Sequence, residues 1–164
     1  MVSGLRYAAR SLVLVAALAL AVGPAGAQQA GSAEAGKIVG TWLDNVSAYD
    51  CQTGVPLFSF PALTSFARGG TLSSAPGAPG PALRSPGLGT WRKARGRTFE
   101  WVSVTFLFSP AGLLTGTQRV TGTWEVQNNP DEVAGTSVSE TFDAAGNLIV
   151  TACATVSARR VKVE

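Results

Sequence analysis

Apolar and polar positions alternate along most of this chain, as in "TFEWVSVTFLF" from Thr98 and "TSVSETFD" from Thr136. A two-residue period, with Val, Thr, Phe and Trp dominating and Gly-bearing clusters between runs, is the pattern of β-strands. The runs predict strands over 38–50, 58–67, 70–75, 88–93, 97–108, 113–126, 132–142 and 147–161. No stretch after residue 36 carries a helical period.

The intervening turns share a signature. "FARGGTL" at Phe66, "FSPAGLL" at Phe108 and "FDAAGNL" at Phe142 each place Gly four residues and Leu six residues after the Phe. A tight hairpin needing one residue at positive φ takes Gly there at little steric cost, and Phe and Leu then oppose each other across the ladder. "VQNNPDEV" and "KARG" supply two further turns. Eight strands joined this way form an antiparallel meander of the size that closes into a small barrel. The fold class expected is all-β, a single up-and-down barrel.

The first 27 residues stand apart. Arg6 and Arg10 precede an apolar run from Leu12 to Val22 and an Ala25-Gly26-Ala27 site, the layout of a secretory signal peptide. The run is shorter than the roughly 20 residues that span a bilayer. The reading is therefore an exported chain, secreted or periplasmic, with no membrane association after cleavage; an uncleaved anchor is the alternative. Residues 28–36 read as a flexible mature N-terminus and 37–164 as the barrel domain. Within it, the Pro- and Gly-rich stretch 73–87 reads as a long surface loop, either a lid or a passive connection.

Cys51 and Cys153 are the only cysteines. In an exported chain such a pair most simply forms one disulfide. It would close a loop of about 100 residues and stabilise by up to ~4.7 kcal/mol in the chain-entropy account. It would also tie the first strand to the last, which are neighbours in a closed meander.

Charge narrows the partners. Without Arg6 and Arg10, 11 basic residues face ten acidic ones, a formal charge of +1. Nucleic-acid binding, which uses a basic stripe with interleaved aromatics, is not expected. The chain has no histidine, which removes Ser-His-Asp and Cys-His catalysis in their usual forms and the common imidazole metal sites. No phosphate-binding glycine loop is present, and neither a cofactor nor a metal is expected. The basic group Arg92, Lys93, Arg95 and Arg97 reads as a solvated hairpin tip, the alternative being a grip on an anionic surface.

Three of the four tryptophans follow Gly-Thr, at Trp42, Trp91 and Trp124. The repeat predicts strand starts whose indoles plug the barrel. The first copy, Gly40-Thr41-Trp42, resembles the Gly-x-Trp that opens the calycins, the superfamily of lipocalins and avidins. The resemblance implies a barrel with Trp42 packed across one end.

Pairing through the turns assigns one inner face to Val102, Val104, Phe106, Phe108, Leu114, Val120, Trp124, Val138, Phe142, Leu148, Val150, Ala152, Ala154 and Val156. Small inner residues (Gly116, Gly122, Ala134, Ala152, Ala154) leave room for a cavity, against the alternative of a solid, interdigitated interior. Glu100, Gln118 and Glu140 fall on the same face, either as polar anchors in an apolar pocket or at a rim. Together with Trp42, Trp124 and Phe106 they are the candidate ligand-binding residues. Glu100 and Glu140 lie on the order of 15 Å apart in this register, too far for the carboxylate pair of a glycosidase. Phe99, Trp101 and Leu107 fall outside, either as a stripe suited to homo-oligomer contact or as a face covered by the N-terminal segment or the Pro-rich loop.

The function expected is binding of a small apolar or amphipathic molecule inside the barrel, with no catalytic residue assigned. One alternative is a barrel enzyme of isomerase or cyclase type using Glu140, by architectural resemblance to the allene oxide cyclases. The other is an interaction or surface module with a solid core.

Overall fold

The computed structural model describes residues 36–78 and 80–163. The leader expected at 1–27, and all of the expected flexible segment except Gly36, lie outside the described residues. Eight strands follow in order: β1 (Gly40–Tyr49), β2 (Pro56–Phe66), β3 (Thr71–Pro76), β4 (Gly87–Arg95), β5 (Thr98–Phe108), β6 (Leu114–Val126), β7 (Glu132–Asp143) and β8 (Leu148–Arg160). Each pairs antiparallel with the next and β8 returns to β1, giving a closed up-and-down barrel. Cys51, just past β1, is bonded to Cys153 on β8 across a Cα–Cα distance of 5.1 Å. The covalent tie thus reinforces the seam where the sheet closes.

The three Phe-x3-Gly-x-Leu turns share one pairing and one closing hydrogen bond. Phe66 pairs with Leu72, Phe108 with Leu114 and Phe142 with Leu148, and Gly70, Gly112 and Gly146 all have φ between 78° and 89°. In each, the Gly N–H bonds back to the carbonyl three residues earlier (Ala67, Ser109 or Asp143). At Phe108 and Phe142 this is the three-residue hairpin in which a type I turn is followed by a left-handed glycine; at Phe66 the preceding Gly69 is also at positive φ, 93°, as a type II turn requires there.

Beyond the second and third turns the register departs from simple alternation. Leu107 pairs with Gly116 while Phe108 pairs with Leu114, so Thr115 has no partner. Likewise Thr141 pairs with Val150 and Phe142 with Leu148, leaving Ile149 over. Each extra residue turns one strand of its pair about its axis. Val102, Val104, Phe106 and Phe108 on β5 therefore face outward with Leu114, and Phe99, Trp101, Ser103, Thr105 and Leu107 face inward. A further single-residue difference arises at Asn128–Asp131, where the Asn129 side chain accepts from Asp131 N and Trp124 is set opposite Gly135 rather than Ala134. Ala134, Val138, Glu140, Phe142 and Leu148 consequently face outward. Val120, Trp124, Val150, Ala152, Ala154 and Val156 face inward as expected.

The expected outer stripe is thereby reversed: Phe99 is fully buried and Trp101 partly so. The outer apolar row on β5 is instead Val102, Val104 and Phe106.

One end of the barrel is solid. Trp42, Phe66, Leu72, Phe99, Trp124, Val126 and Val133 are buried together with Ile38. Trp124 meets Trp42 and Trp101 edge-on at 6.4 and 6.2 Å, and lies 5.1 Å from Phe66. Edge-on aromatic contacts of this kind add to the stabilisation from burial alone. Only the first Gly-Thr-Trp begins a strand; Gly89 and Gly122 lie within β4 and β6. Their role is clearance. A Cβ at Gly89 would strike the Val102 backbone, and one at Gly122 would strike the Trp101 ring.

Arg160 closes this end. Its guanidinium sits 4.2 Å from the centre of the Trp42 ring and donates to Val39 O, Lys37 O and Asp131 Oδ1. Trp42 Nε1 donates to Ile38 O at 2.9 Å. The segment entering β1 is thus fastened across the plug.

Candidate functional site

Away from the plug the interior opens into a cavity of about 310 Å³. Its two sides differ in chemistry. Val46 and Ala48 on β1, Phe58, Phe60 and Ala62 on β2, and Val150, Ala152, Ala154 and Val156 on β8 form an apolar side. Ser74 on β3, Ser103 and Thr105 on β5, and Ser137, Ser139 and Thr141 on β7 form a hydroxyl-bearing side. The volume lies at the low end of the range for small-molecule sites, about 300–1,000 Å³. Small inward residues on β7 and β8 account for the space.

Among the described residues, two charged side chains line the cavity: Asp44 and Arg84. Asp44 lies on β1, two residues after Trp42 and on the same face, and is 3% exposed. Thr64 Oγ1 donates to its Oδ2 at 2.6 Å, while its Oδ1 is buried without a partner. Burial raises the carboxyl pKa to about 7, against the opposing effect of the Thr64 bond. A carboxyl that titrates near neutrality within a ligand-sized cavity can give or take a proton, or a hydrogen bond, according to what is bound.

Arg84 comes from the Pro-rich segment. A short 3-10 turn (Pro81–Leu83) and a bridge between Arg84 and Leu107 bring this loop onto β5. Arg84 Nη1 donates to Ala78 O at 3.1 Å, and Nη2 donates to Gln118 Oε1. Gln118 Nε2 in turn contacts Thr141 Oγ1 at 3.4 Å. Arg84 Nε is buried with no partner, and burial lowers the guanidinium pKa from its ordinary value.

Of the residues expected to bind ligand, Gln118 and Trp124 line the cavity. Trp42 lies in the plug that closes its end. Glu100, Glu140 and Phe106 do not reach it. Glu100 is on the outer face in an ion pair with Arg92, Glu140 pairs with Arg119 at 3.5 Å, and Phe106 is 53% exposed. The physical reason is the same for all three: the unpaired Thr115 and the register at Asn128–Asp131 turn their faces outward. Asp44 could have been found by counting two residues on from Trp42. Nothing local marked Arg84, because a loop with no period gives no facing direction. The basic hairpin is tied down in part, with Arg97 Nη1 donating to Gln127 O and Asn128 Oδ1.

Among the described residues there is no group of three or more His, Cys, Asp or Glu placed to hold a metal ion, and no helix long and apolar enough to cross a membrane. No protein-family model matches the chain, and no curated protein matches it. Among solved structures it is similar to the crystal structure of Rv2717c from M. tuberculosis, with 16% sequence identity over 84% of this chain and 99% of that one, at a TM-score of 0.40.

Proposed function

We propose that this protein is an exported carrier or sensor that holds one small amphipathic molecule inside its barrel. The observation that carries this reading is the cavity of about 310 Å³, apolar along β1, β2 and β8 and polar at Asp44, Arg84 and Gln118. A mostly apolar hollow with few placed polar groups is the usual form of a small-molecule site. The Cys51–Cys153 bond accords with folding in an oxidising compartment, and the leader-like segment at 1–27 supports export.

The test is the native mass of the disulfide-intact protein, measured before and after organic extraction. The expected result is a discrete extractable adduct in wild type and none in Ala152→Phe, which fills the hollow. A bare mass, together with no uptake of neutral or charged amphiphiles offered in excess, would remove the reading.

Asp44 favours a second reading, in which the barrel transforms what it binds. A buried carboxyl near neutrality is a suitable acid or base, and it replaces Glu140, which lies outside. Under this reading Asp44→Asn retains binding and loses turnover of the extracted molecule.

A further inference from the structure

We infer that Arg84 makes the cavity selective for molecules bearing a carboxylate head on an apolar body, with the head at the open end beside Gln118. This rests on the ligand-binding reading above and names the class of ligand.

The electrostatic setting of Arg84 leads there. Its hydrogen-bond partners, Ala78 O and Gln118 Oε1, are neutral. The other charged residue lining the cavity, Asp44, engages Thr64 instead. A guanidinium carries five N–H donors; Ala78 and Gln118 take one from each terminal nitrogen, which leaves a second N–H on both. A partly buried cation with spare donors in fork geometry matches a carboxylate, which accepts two such bonds in one plane.

Orientation follows from what lies deeper. Burial raises the Asp44 pKa and so disfavours a charged group at that depth, whereas the buried Ala62, Ala154 and Val156 suit an alkyl body. The head therefore sits at Arg84 and the body points toward the Trp124 plug. Neither the loop nor the strand supplies this arrangement alone, because Arg84 is held by Gln118 of β6 and backed by β5 through Leu107.

Calorimetric titration of the full barrel domain with decanoate, decanol and decyltrimethylammonium separates head from body, since the three share one chain. Wild type should bind decanoate about tenfold or more tightly than decanol, as charge-assisted hydrogen bonds allow, and should bind the cationic amphiphile most weakly. Arg84→Gln should lose that preference, and Arg84→Lys should keep part of it. Circular dichroism and melting temperature establish that both variants fold. Equal affinity for decanoate and decanol in wild type, or a preference that survives in Arg84→Gln, overturns the assignment while leaving the cavity a binding site. No binding of any of the three overturns both readings.

Discussion

The guanidinium of Arg160, at the end of β8, lies 4.2 Å from the ring centre of Trp42, near the start of β1. The stack fastens the sheet's closing seam to its aromatic plug. Because Arg160 also donates to Val39 O, Lys37 O, Pro130 O and Asp131 Oδ1, its loss would leave three backbone carbonyls and the plug face without their partner. Arg160→Ala should cost about 2–4 kcal/mol in urea unfolding. Arg160→Lys should recover only part of this, since an ammonium cannot reproduce the fork.

Asp44 sets a pH dependence whose sign is opposite to that of an ion-paired carboxylate. Burial raises its folded pKa to about 7 from a reference of 3.8, so between these values the folded protein holds a proton that the unfolded chain releases. Stability then falls as pH rises from about 4 to about 7, by at most ~4 kcal/mol, and levels off above. Asp50, Asp131 and Asp143, held below the ordinary carboxylate range by hydrogen bonds from Thr53, Lys162 and Asn147 respectively, act the other way as pH falls through their own range. Melting temperature should therefore decline between pH 5 and pH 8 in wild type and stay flat in Asp44→Asn. An unchanged slope in the variant would show that another group sets it.

Outside the turns, Gly89 and Gly80 contrast a clearance site with a free one. A Cβ at Gly89 would collide with the Val102 backbone, whereas one at Gly80 meets nothing within 4 Å. Gly89→Ala should lose about 1–3 kcal/mol, and Gly80→Ala should stay within about 0.5 kcal/mol of wild type. Equal melting temperatures for the two variants would contradict the close approach of β4 to β5.

Reducing the Cys51–Cys153 bond, or replacing both residues by Ser, should lower stability by about 2–4 kcal/mol. The effect should appear in equilibrium unfolding with the barrel still able to form, because the bond reinforces a seam already made by eight residue pairs from Trp42–Arg160 to Tyr49–Cys153.

Phe66, Phe108 and Phe142 show how far local pattern carries. Each opposes the Leu six residues on, as the shared spacing requires, since a three-residue hairpin closed by a left-handed Gly has a fixed loop length. The facing of those pairs was not local information. Phe66 and Leu72 are buried, whereas Leu114 and Leu148 are more than half exposed. The same motif serves both faces, and the unpaired Thr115 and Ile149 that adjust the following strands look like ordinary strand residues. Gln118 and Trp124 lie on a strand whose inner face matches the expectation, while register turns Glu100, Glu140 and Phe106 outward.

The sequence by itself determined the strands, the turns, the disulfide and the number of staves, because each depends on residues close in the chain or on a pair with no competitor. Tertiary structure alone decided which face each strand turns inward. It also decided that Asp44 lies buried beside Thr64 with one oxygen unpartnered, and that a proline-rich loop delivers Arg84 to Gln118, 34 residues away. The reason is geometric: a two-residue period defines two faces but not which is inside, so one extra residue reverses a strand, and a loop without a period acquires direction only from what it packs against.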